Sequence, residues 1–504
     1  MVPSYGRKQQ SVTTRIDRHP RAHKLSTCSI LLYSHQHDRK MKLRPEHVAW
    51  SIATEDFLSM KTKHYAFAMI LAVTVSLQAR EKPNVIVVMA DDIGFECYSA
   101  FGSEFYQTPN IDKLAATGAK FTQAYSQPIC TPSRVKIMTG RYNFRNYTQF
   151  GELDLAQPTF AKMVKANGYA TAIAGKWQLS AGDLSGPHTA GFDEYCLWHF
   201  SKGGSTGHLP KEFRNKGSRY QSPTLFENGE LVADTDGKYG PDLVSDFICD
   251  FIERKKDKPF VVYYPMILVH NPFDPTPDSR DWEQKDTSRK PLEHFREMVH
   301  YMDKVIGKIV GKLDAAGIRE NTLIMVTGDN GTNRSLTSPY PSRGSIQGGK
   351  GTMQDAGNRV AFVANWPGQI PSGTVVDSPV GFTDVLPTIA DVTGANVPTE
   401  CDGQSFLPLL KGDSRPARDW LFQSYSKNGP GTAPYRCFVR NADWKLYADG
   451  ALYNVPNDWL EESPVTGARG KSARQQLQPI LDRILLDLPP ELIDRRSTSP
   501  ASKR

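Results

Sequence analysis

The sequence of 504 residues lacks three features that would quickly assign a protein to a structural class. It has no internal repeat, no Cys-x-x-Cys pair and no apolar run long enough to span a membrane comfortably. These absences argue against a repeat array, a cysteine-based metal module and a stable membrane span. With 39% hydrophobic and 23% charged residues, the composition is typical of a soluble globular protein. The length predicts one large domain and a smaller one.

An excess of basic charge is absent from most of the chain. The formal net charge is +7, and residues 1–63 contain all of this excess, with twelve of the 61 basic residues and five of the 54 acidic ones. We therefore expect no nucleic-acid partner, because a nucleic-acid-binding surface would place a basic excess within the folded domain.

Cysteines are few and irregularly spaced. Seven occur in the chain, and six of them follow residue 79: Cys97, Cys130, Cys196, Cys249, Cys401 and Cys437. Without Cys130 the remaining number is odd, so the spacing predicts no disulfide framework, although one or two bridges are compatible with it.

A second apparent start precedes a short apolar run. Residues 60–79 have a basic beginning, an apolar segment from Tyr65 to Leu77 and a small residue at Ala79, which is typical of a secretory signal peptide. A core helix is the alternative. Residues 1–59 are polar, basic and aperiodic, so we interpret them as a disordered extension from a start assigned too early. A signal peptide would make the protein secreted or periplasmic.

Buried strands and amphipathic helices alternate from residue 80 onward, which predicts an α/β fold with a large, mostly parallel sheet flanked by helices. The predicted strands lie at 85–89, 170–174, 259–264, 322–326 and 360–364, and the predicted helices at 110–118, 294–316 and 383–392. Residues 180–240 are rich in Gly, Ser, Lys and Pro, which predicts a loop region that contributes to a substrate pocket.

The character of the sequence changes near residue 412. Short segments predict an antiparallel sheet, and residues 475–486 predict a helix. We therefore divide the chain into a catalytic domain at 80–411 and a smaller C-terminal α+β subdomain at 412–487. Residues 488–504 are Pro-rich, then polar and charged, and are predicted to be a disordered tail.

Polar side chains directly follow several predicted strands, at the edge where open α/β sheets bind ligands. They are Asp91 and Asp92, Lys176, His270, and Asp329 and Asn330, while Cys130 and Lys350 lie in loops. The carboxylates and the amide offer oxygen ligands for a hard divalent cation, and the lysines offer positive charge for an anion. Taken singly, a solvated turn explains Asp91-Asp92, and a hydrogen-bonded core residue explains His270.

The stretch Cys130-Thr131-Pro132-Ser133-Arg134 brings a reactive side chain close to positive charge. Pro132 suits the first turn of a helix, which would place Cys130 just ahead of the positive helix N-terminus. Arg134 adds a fixed cation suited to an oxyanion. A buried, inert residue is the alternative for a cysteine on its own.

Several short motifs resemble those of the type I sulfatases of the alkaline phosphatase superfamily. They are Cys-x-Pro-Ser-Arg at 130–134 followed by Thr-Gly-Arg, Gly-Lys-Trp at 175–177, His-x-Pro-Phe at 270–273, Gly-Asp-Asn-Gly at 328–331 and Gly-Gly-Lys-Gly at 348–351. The resemblance runs from about Lys82 into the C-terminal lobe. It implies an alkaline-phosphatase-like fold and a sulfuric ester hydrolase, and it leaves the alcohol half of the substrate unidentified.

The resemblance implies a modified nucleophile and a metal ion. In that family the motif cysteine is oxidised after translation to formylglycine, so a maturation enzyme would convert Cys130. A Ca²⁺ ion, with Mg²⁺ as the alternative, would be held by the modified Cys130 together with Asp91, Asp92, Asp329 and Asn330. One hydroxyl of the hydrated aldehyde would attack sulfur, and the other would help to expel sulfate.

The same resemblance assigns roles to the basic residues and shows one departure. Arg134, Lys176 and Lys350 would neutralise the sulfonyl oxygens. His270 would act as a general acid toward the leaving oxygen, a role that Lys350 could share. Gln178 stands where the family commonly has His. It can hydrogen-bond the diol or the sulfate but cannot exchange a proton near neutral pH, which leaves the proton acceptor for sulfate elimination unassigned.

Two other functions remain open from the sequence. A phosphomonoesterase or phosphodiesterase on the same fold would bind a similar tetrahedral anion, and a non-catalytic anion-binding relative would be consistent with Gln178. The cysteine motif favours sulfate. Among sulfate esters we favour a sulfated glycan, because secreted members of the family often act on glycans and the stretch at 180–240 is long and polar.

Overall fold

The computed structural model describes residues 82–180, 183–198, 219–283, 291–413, 418–429, 435–489 and 492. The predicted extension at 1–59 and the signal peptide at 60–79 lie outside the described residues. The same is true of most of the predicted tail at 488–504 and of part of the stretch at 180–240.

Strands occur throughout the described part of the chain. They are β1 (Asn84–Ala90), β2 (Ala119–Tyr125), β3 (Ala170–Lys176), β4 (Glu194–Trp198), β5 (Phe226–Glu227), β6 (Glu230–Leu231), β7 (Phe260–Pro265), β8 (Thr322–Gly328), β9 (Thr337–Tyr340), β10 (Gly344–Gln347), β11 (Arg359–Asn365), β12 (Thr374–Val376), β13 (Val380–Gly381), β14 (Leu421–Tyr425), β15 (Arg436–Arg440), β16 (Trp444–Tyr447) and β17 (Leu452–Asn454).

The largest sheet has the strand order β12-β2-β11-β8-β1-β7-β3-β4-β5-β6, and β13 also pairs with β2. Most pairings are parallel, whereas β11 runs antiparallel to β2 and β8, and β5 runs antiparallel to β4 and β6. This topology confirms the predicted large, mostly parallel sheet.

Helices cover both faces of that sheet. The described α-helices are α1 (Pro109–Ala116), α2 (Cys130–Thr139), α3 (Asn143–Asn146), α4 (Phe160–Ala166), α5 (Gly186–Thr189), α6 (Gly240–Lys255), α7 (Pro291–Ala315), α8 (Asp355–Asn358), α9 (Val385–Thr393), α10 (Leu407–Leu410) and α11 (Lys471–Leu485). Short 3-10 helices lie at Phe95–Cys97, Ser99–Phe101, Phe382–Asp384 and Gly467–Gly470. Among these helices none is both long and apolar enough to cross a membrane.

The core is divided between the two faces because successive side chains of a strand point in opposite directions. In β1, Val85 and Val87 belong to the apolar cluster that includes α2 and α9, whereas Ile86 and Val88 belong to the cluster that includes α6 and α7. All seven residues of β1 are buried, which agrees with its continuous apolar sequence.

Four neighbouring parallel strands bring their carboxyl ends together. β1 lies between β8 and β7, with Val88 paired with Val326 on one side and Tyr264 on the other. β3 continues the same parallel series beyond β7. The segments that follow β8, β1, β7 and β3 therefore emerge side by side at one edge of the sheet.

The C-terminal part forms a separate antiparallel sheet, as predicted. Its strand order is β14-β15-β16-β17, and α11 packs against it. Leu477 and Leu481 of α11 share an apolar cluster with Val439 and Leu446 of the sheet. The boundary at 411/412 between two domains stays a prediction.

Several local predictions were wrong. The stretch at 180–240 contains β4, β5 and β6 in addition to loops, and helix α2 begins at Cys130 itself rather than after it. Strand β2 was missed because Lys120, Thr122 and Gln123 break its apolar pattern. Helix α6 was missed although its buried residues have helical spacing. The six described cysteines are all free.

Candidate active site

Four buried oxygen-bearing residues meet where β1 and β8 end. Asp91 and Asp92 follow β1, and Asp329 and Asn330 follow β8. The backbone N–H of Asp92 donates to Asp329 Oδ1 at 2.9 Å, and Asn330 Nδ2 donates to Asp92 Oδ1 at 3.0 Å. All four side chains are fully excluded from solvent. The two strand ends therefore form one cluster of three carboxylates and an amide.

This cluster has the chemistry of a site for a hard cation. Asp91 Oδ1 and Asn330 Oδ1 are buried and have no hydrogen-bond partner among the described residues. Burial and the neighbouring Asp91 carboxylate raise the pKa of Asp329 to about 8. Burial opposes ionisation of Asp91, but Lys176 and other cations outweigh it and hold the pKa of Asp91 below its usual range. A divalent cation would satisfy the free oxygens and the crowded negative charge, so the residues present fit one.

Cys130 is the first residue of α2 and is held close to this cluster. Ser133 Oγ donates to the carbonyl of Asp329 at 2.6 Å, which ties the first turn of α2 to the end of β8. The N–H of Gly351 donates to the carbonyl of Pro128 at 2.8 Å, which ties the loop of Lys350 to the segment before Cys130. Burial raises the pKa of the Cys130 thiol, so the unmodified side chain would be a poor nucleophile at neutral pH.

Two buried cations lie on the Asp91 side of the cluster. Arg134 Nη1 donates to the carbonyl of Lys176 at 2.8 Å, and Arg134 Nη2 lies 3.3 Å from Asp329 Oδ2. Lys176 Nζ donates to Asp91 Oδ2 at 2.7 Å. Because each group is fixed by another, the positive charges are preorganised before any ligand binds.

Lys350 and His270 lie on the Asp92 side. Lys350 Nζ donates to Asp92 Oδ2 at 2.5 Å and lies 3.2 Å from His270 Nε2, which is itself 3.4 Å from Asp92 Oδ2. Burial lowers the pKa of His270 to about 4, although Asp92 and Asp91 oppose the shift. The imidazole is therefore neutral at pH 7, with an ammonium group next to Nε2. The structure thus brings together the residues predicted from the strand ends and loops.

Comparison with models of known protein families identifies the family of this chain. The sulfatase family model matches residues 83–395, and a model of the C-terminal region of N-sulphoglucosamine sulphohydrolase matches residues 349–471. This chain belongs to the sulfatase family. As a sulfatase it hydrolyses sulfate esters, which confirms the activity predicted from the sequence motifs.

The sulfatase aligns over most of its length with curated relatives and with solved structures. It is 28% identical to steryl-sulfatase of Rattus norvegicus, over 74% of this chain and 77% of that protein, and 30% identical to arylsulfatase A of Bos taurus, over 71% and 73%. The crystal structure of Ps i-CgsB matches with 26% identity and a TM-score of 0.67, covering 83% of this chain and 94% of that one. Ps i-CgsB has also been solved in complex with k-i-k-neocarrahexaose.

Gln178 has an unusual conformation in this sulfatase. Its φ is 53°, in the left-handed region that residues other than glycine rarely adopt, and the residue is only 6% exposed. Its Oε1 has no hydrogen-bond partner within the described part of the chain. Gln178 lies two residues after Lys176, so the departure from the family motif coincides with a strained and unsatisfied position.

Arg219 is a residue of the site that the sequence did not reveal. Its Nη1 lies 2.7 Å from His270 Nδ1, and its guanidinium stacks on the ring of Trp198 at 4.3 Å. It lies in the polar stretch at 180–240 without a surrounding motif. Only the general expectation that this stretch contributes to a pocket could have pointed to it.

Proposed function

We propose that this sulfatase removes sulfate from a sulfated carbohydrate, with formylglycine derived from Cys130 as its nucleophile and one Ca²⁺ ion, or alternatively Mg²⁺, as its cofactor. The observation that carries the proposal is the convergence of Cys130, buried cations and three carboxylates at the ends of adjacent strands. The carbohydrate is supported by the neocarrahexaose complex of Ps i-CgsB, which is 26% identical to this chain.

The metal ligands in this proposal are Asp91, Asp92, Asp329 and Asn330, together with the modified side chain at position 130. The two unpartnered oxygens of the cluster support this assignment. When bound, the cation would supply positive charge that activates a hydroxyl of the nucleophile and polarises the sulfate. The donors are oxygens, which favours Ca²⁺ or Mg²⁺ over softer metals.

Arg134, Lys176 and Lys350 bind the sulfonyl oxygens in this proposal. Arg134 is anchored by the carbonyl of Lys176 and by Asp329, so its guanidinium does not need to reorganise as negative charge develops. Preorganised charge of this kind usually makes the largest contribution to catalysis.

His270 and Lys350 together provide the proton for the leaving oxygen. His270 is neutral at pH 7 because burial lowers its pKa, so it does not carry that proton in the resting site. Burial disfavours the charged form of Lys350, but Asp92 more than compensates and raises its pKa, and Lys350 Nζ lies 3.2 Å from His270 Nε2. As charge builds on the leaving oxygen, the ammonium group of Lys350 can therefore donate a proton to that oxygen and become the neutral amine, while His270 Nε2 keeps Lys350 in position.

A formylglycine-generating enzyme is the maturation partner in this proposal. Cys130 is 3% exposed and its neighbours Thr131 and Ser133 are fully buried, so conversion must occur before the site closes. The signal-like sequence at 60–79 supports a secreted or periplasmic location.

The proposal is tested by producing the protein together with a formylglycine-generating enzyme and assaying 4-nitrophenyl sulfate and 4-nitrophenyl phosphate. Mass spectrometry of the peptide containing Gln127 to Arg134 measures the conversion of Cys130. We expect turnover of the sulfate only in converted protein, none in Cys130→Ala and normal turnover in Cys437→Ala, which removes a buried cysteine of the C-terminal sheet.

Each other outcome favours an alternative. Full activity with unconverted Cys130 would refute the formylglycine mechanism. A preference for the phosphate ester, especially with stoichiometric zinc, would identify a phosphatase. Binding of sulfate without turnover of either ester would identify a non-catalytic relative.

A further inference from the structure

A second cationic group lies on the opposite side of His270 from the sulfate-binding residues. His270 Nε2 faces Lys350 Nζ at 3.2 Å, whereas His270 Nδ1 faces Arg219 Nη1 at 2.7 Å. The carbonyl of Asn271 is also 2.6 Å from Nδ1. Because His270 acts at the leaving oxygen, the guanidinium of Arg219 lies next to the alcohol half of the substrate.

Arg219 is held in place by its surroundings. Its guanidinium stacks on the ring of Trp198, the last residue of β4, at 4.3 Å. The hydroxyl of the next residue, Tyr220, donates to the carbonyls of Ile267 and His270 at 3.2 and 2.5 Å. The backbone next to Arg219 is therefore tied to the segment that carries His270, so the two side chains stay together.

Among the described residues, no carboxylate is in direct contact with the guanidinium of Arg219. Within the described residues no Asp or Glu forms an ion pair with it, whereas Arg134 contacts Asp329 at 3.3 Å. Burial raises the pKa of Asp274 and Arg219 opposes that shift, but these two side chains are not within ion-pair distance. Arg219 is only partly buried, so a ligand can reach it.

We propose that Arg219 binds a second anionic group, a carboxylate or another sulfate, on the alcohol half of the substrate. The inference rests on the proposed function of the site. A guanidinium can present two parallel N–H groups to either oxyanion, and in Arg219 the ring of Trp198 covers a face of the guanidinium rather than its N–H edge, whose Nη1 also contacts His270. The preferred substrate is then a polyanionic sulfated sugar rather than one that carries a single sulfate.

The test uses matched pairs of small sulfate esters that differ only in charge. One pair is 3-carboxyphenyl sulfate and its neutral 3-carbamoyl analogue, and the other is 3-sulfonatophenyl sulfate and its neutral 3-sulfamoyl analogue. The ratio of kcat/KM within a pair cancels any effect of a mutation on His270, because both members undergo the same chemistry. We expect the unmutated sulfatase to prefer the anionic member by on the order of 10- to 100-fold, as for a charge-assisted hydrogen bond.

Variants assign the preference to one side chain. Arg219→Gln should reduce the ratio to about one, and Arg219→Lys should restore part of it because the charge returns. Arg296→Gln is the matched control, since Arg296 also stacks on an aromatic ring, that of Phe105 at 5.0 Å, and should leave the ratio unchanged. A preference for the anionic member in the carboxy pair alone would identify the bound group as a carboxylate, and a preference in the sulfonato pair alone would identify it as a sulfate. An unchanged ratio in Arg219→Gln would overturn the proposal.

Failure of the proposed function is distinguishable from failure of this inference. If none of the four esters is hydrolysed by protein in which Cys130 has been converted, the proposed function fails, and Arg219 is then judged by calorimetric binding of 3-hydroxybenzoate against 3-hydroxybenzamide. Tighter binding of the anion that is lost in Arg219→Gln supports the second anion site, and equal binding overturns it.

Discussion

Two features of Gln178 each lower the stability of the folded protein. A left-handed backbone in a residue other than glycine costs about 1–2 kcal/mol, and an unsatisfied buried polar atom costs about 1–3 kcal/mol. Such costs are typical of positions that serve a function. Because Gln178 cannot exchange a proton, we expect it to act as a positioning hydrogen-bond donor for sulfate or for the nucleophile.

Replacing Gln178 tests that role. Gln178→Ala should lower kcat by about 10²–10³, as the loss of one preorganised donor does, without abolishing turnover. Gln178→Asn, which keeps the amide and tolerates the left-handed backbone, is the matched variant and should lose less. Steady-state assays of aryl sulfate hydrolysis measure both. A burst of alcohol with no further product in the unmutated enzyme would instead show that the enzyme stalls after the first step.

The end of strand β3 depends on a glycine. Gly175 has a φ of +116°, and a Cβ there would lie 2.1 Å from the carbonyl oxygen of Pro265 in β7. Only a residue without a side chain lets β3 approach β7 closely enough to deliver Lys176 to Asp91.

Gly175→Ala should therefore destabilise the protein by more than the 1–2 kcal/mol expected for an unfavourable φ alone. Gly317→Ala is the matched control, because Gly317 has a φ of +71° with nothing within 4 Å of a Cβ. Urea unfolding of both variants measures the difference in the free energy of unfolding. Equal losses would show that β7 yields to the added methyl group.

Helix α2 contains a buried lysine in addition to Cys130. Lys136 is 1% exposed, and its Nζ can donate to the side-chain oxygen of Gln127 at 3.0 Å once the amide oxygen and nitrogen of Gln127 are interchanged. Burial lowers the pKa of Lys136 to about 7, although Asp384 opposes the shift. Between pH 7 and about 10 the unfolded chain binds a proton at this residue that the folded chain does not, so stability rises with pH in that window.

Lys136→Met should remove this dependence. Relative to the variant, the unmutated protein should gain up to about 1.4 kcal/mol of unfolding free energy per pH unit between pH 7 and 10. Lys113→Met, at an exposed position in α1, is the control and should leave the dependence unchanged. Unfolding curves in urea at several pH values provide the measurement. Parallel pH profiles for Lys136→Met and the unmutated protein would contradict the buried neutral lysine.

At the scale of the whole molecule, the proposed metal would join two distant parts of the sequence. Asp91 and Asp92 lie more than two hundred residues before Asp329 and Asn330, and the parallel pairing of β1 with β8 brings them together. A cation bound there only in the folded state stabilises the entire fold by mass action, by about 2.7 kcal/mol at a hundredfold excess over Kd.

Removal of the metal should therefore affect both activity and stability. A chelator should abolish turnover, Ca²⁺ or Mg²⁺ should restore it, and Ca²⁺ should raise the Tm of the unmutated protein but not of Asp329→Asn. Asp281→Asn is the control, because Asp281 belongs to a different cluster with His294 and Glu297. A Tm shift that is lost in Asp281→Asn but kept in Asp329→Asn would move the cation to that second cluster.

The sequence by itself determined the α/β class, the sheet edge that carries the site and nearly all of its charged residues. It could do so because each of Asp91, Lys176 and Asp329 directly follows or ends a strand with a strong local pattern, and parallel strands end at the same edge. The tertiary structure alone decided which cation pairs with which carboxylate, since those contacts join residues from separate strands and loops.

Two further features of the site depend on the tertiary structure and are not encoded in any local sequence pattern. The contact between Arg219 and His270 spans 51 residues and depends on how β4 and the segment after β7 pack. The left-handed backbone of Gln178 likewise follows from its surroundings, because local preferences alone disfavour that conformation. Local physical preferences thus placed the strand ends, and long-range packing selected the side chains that meet there.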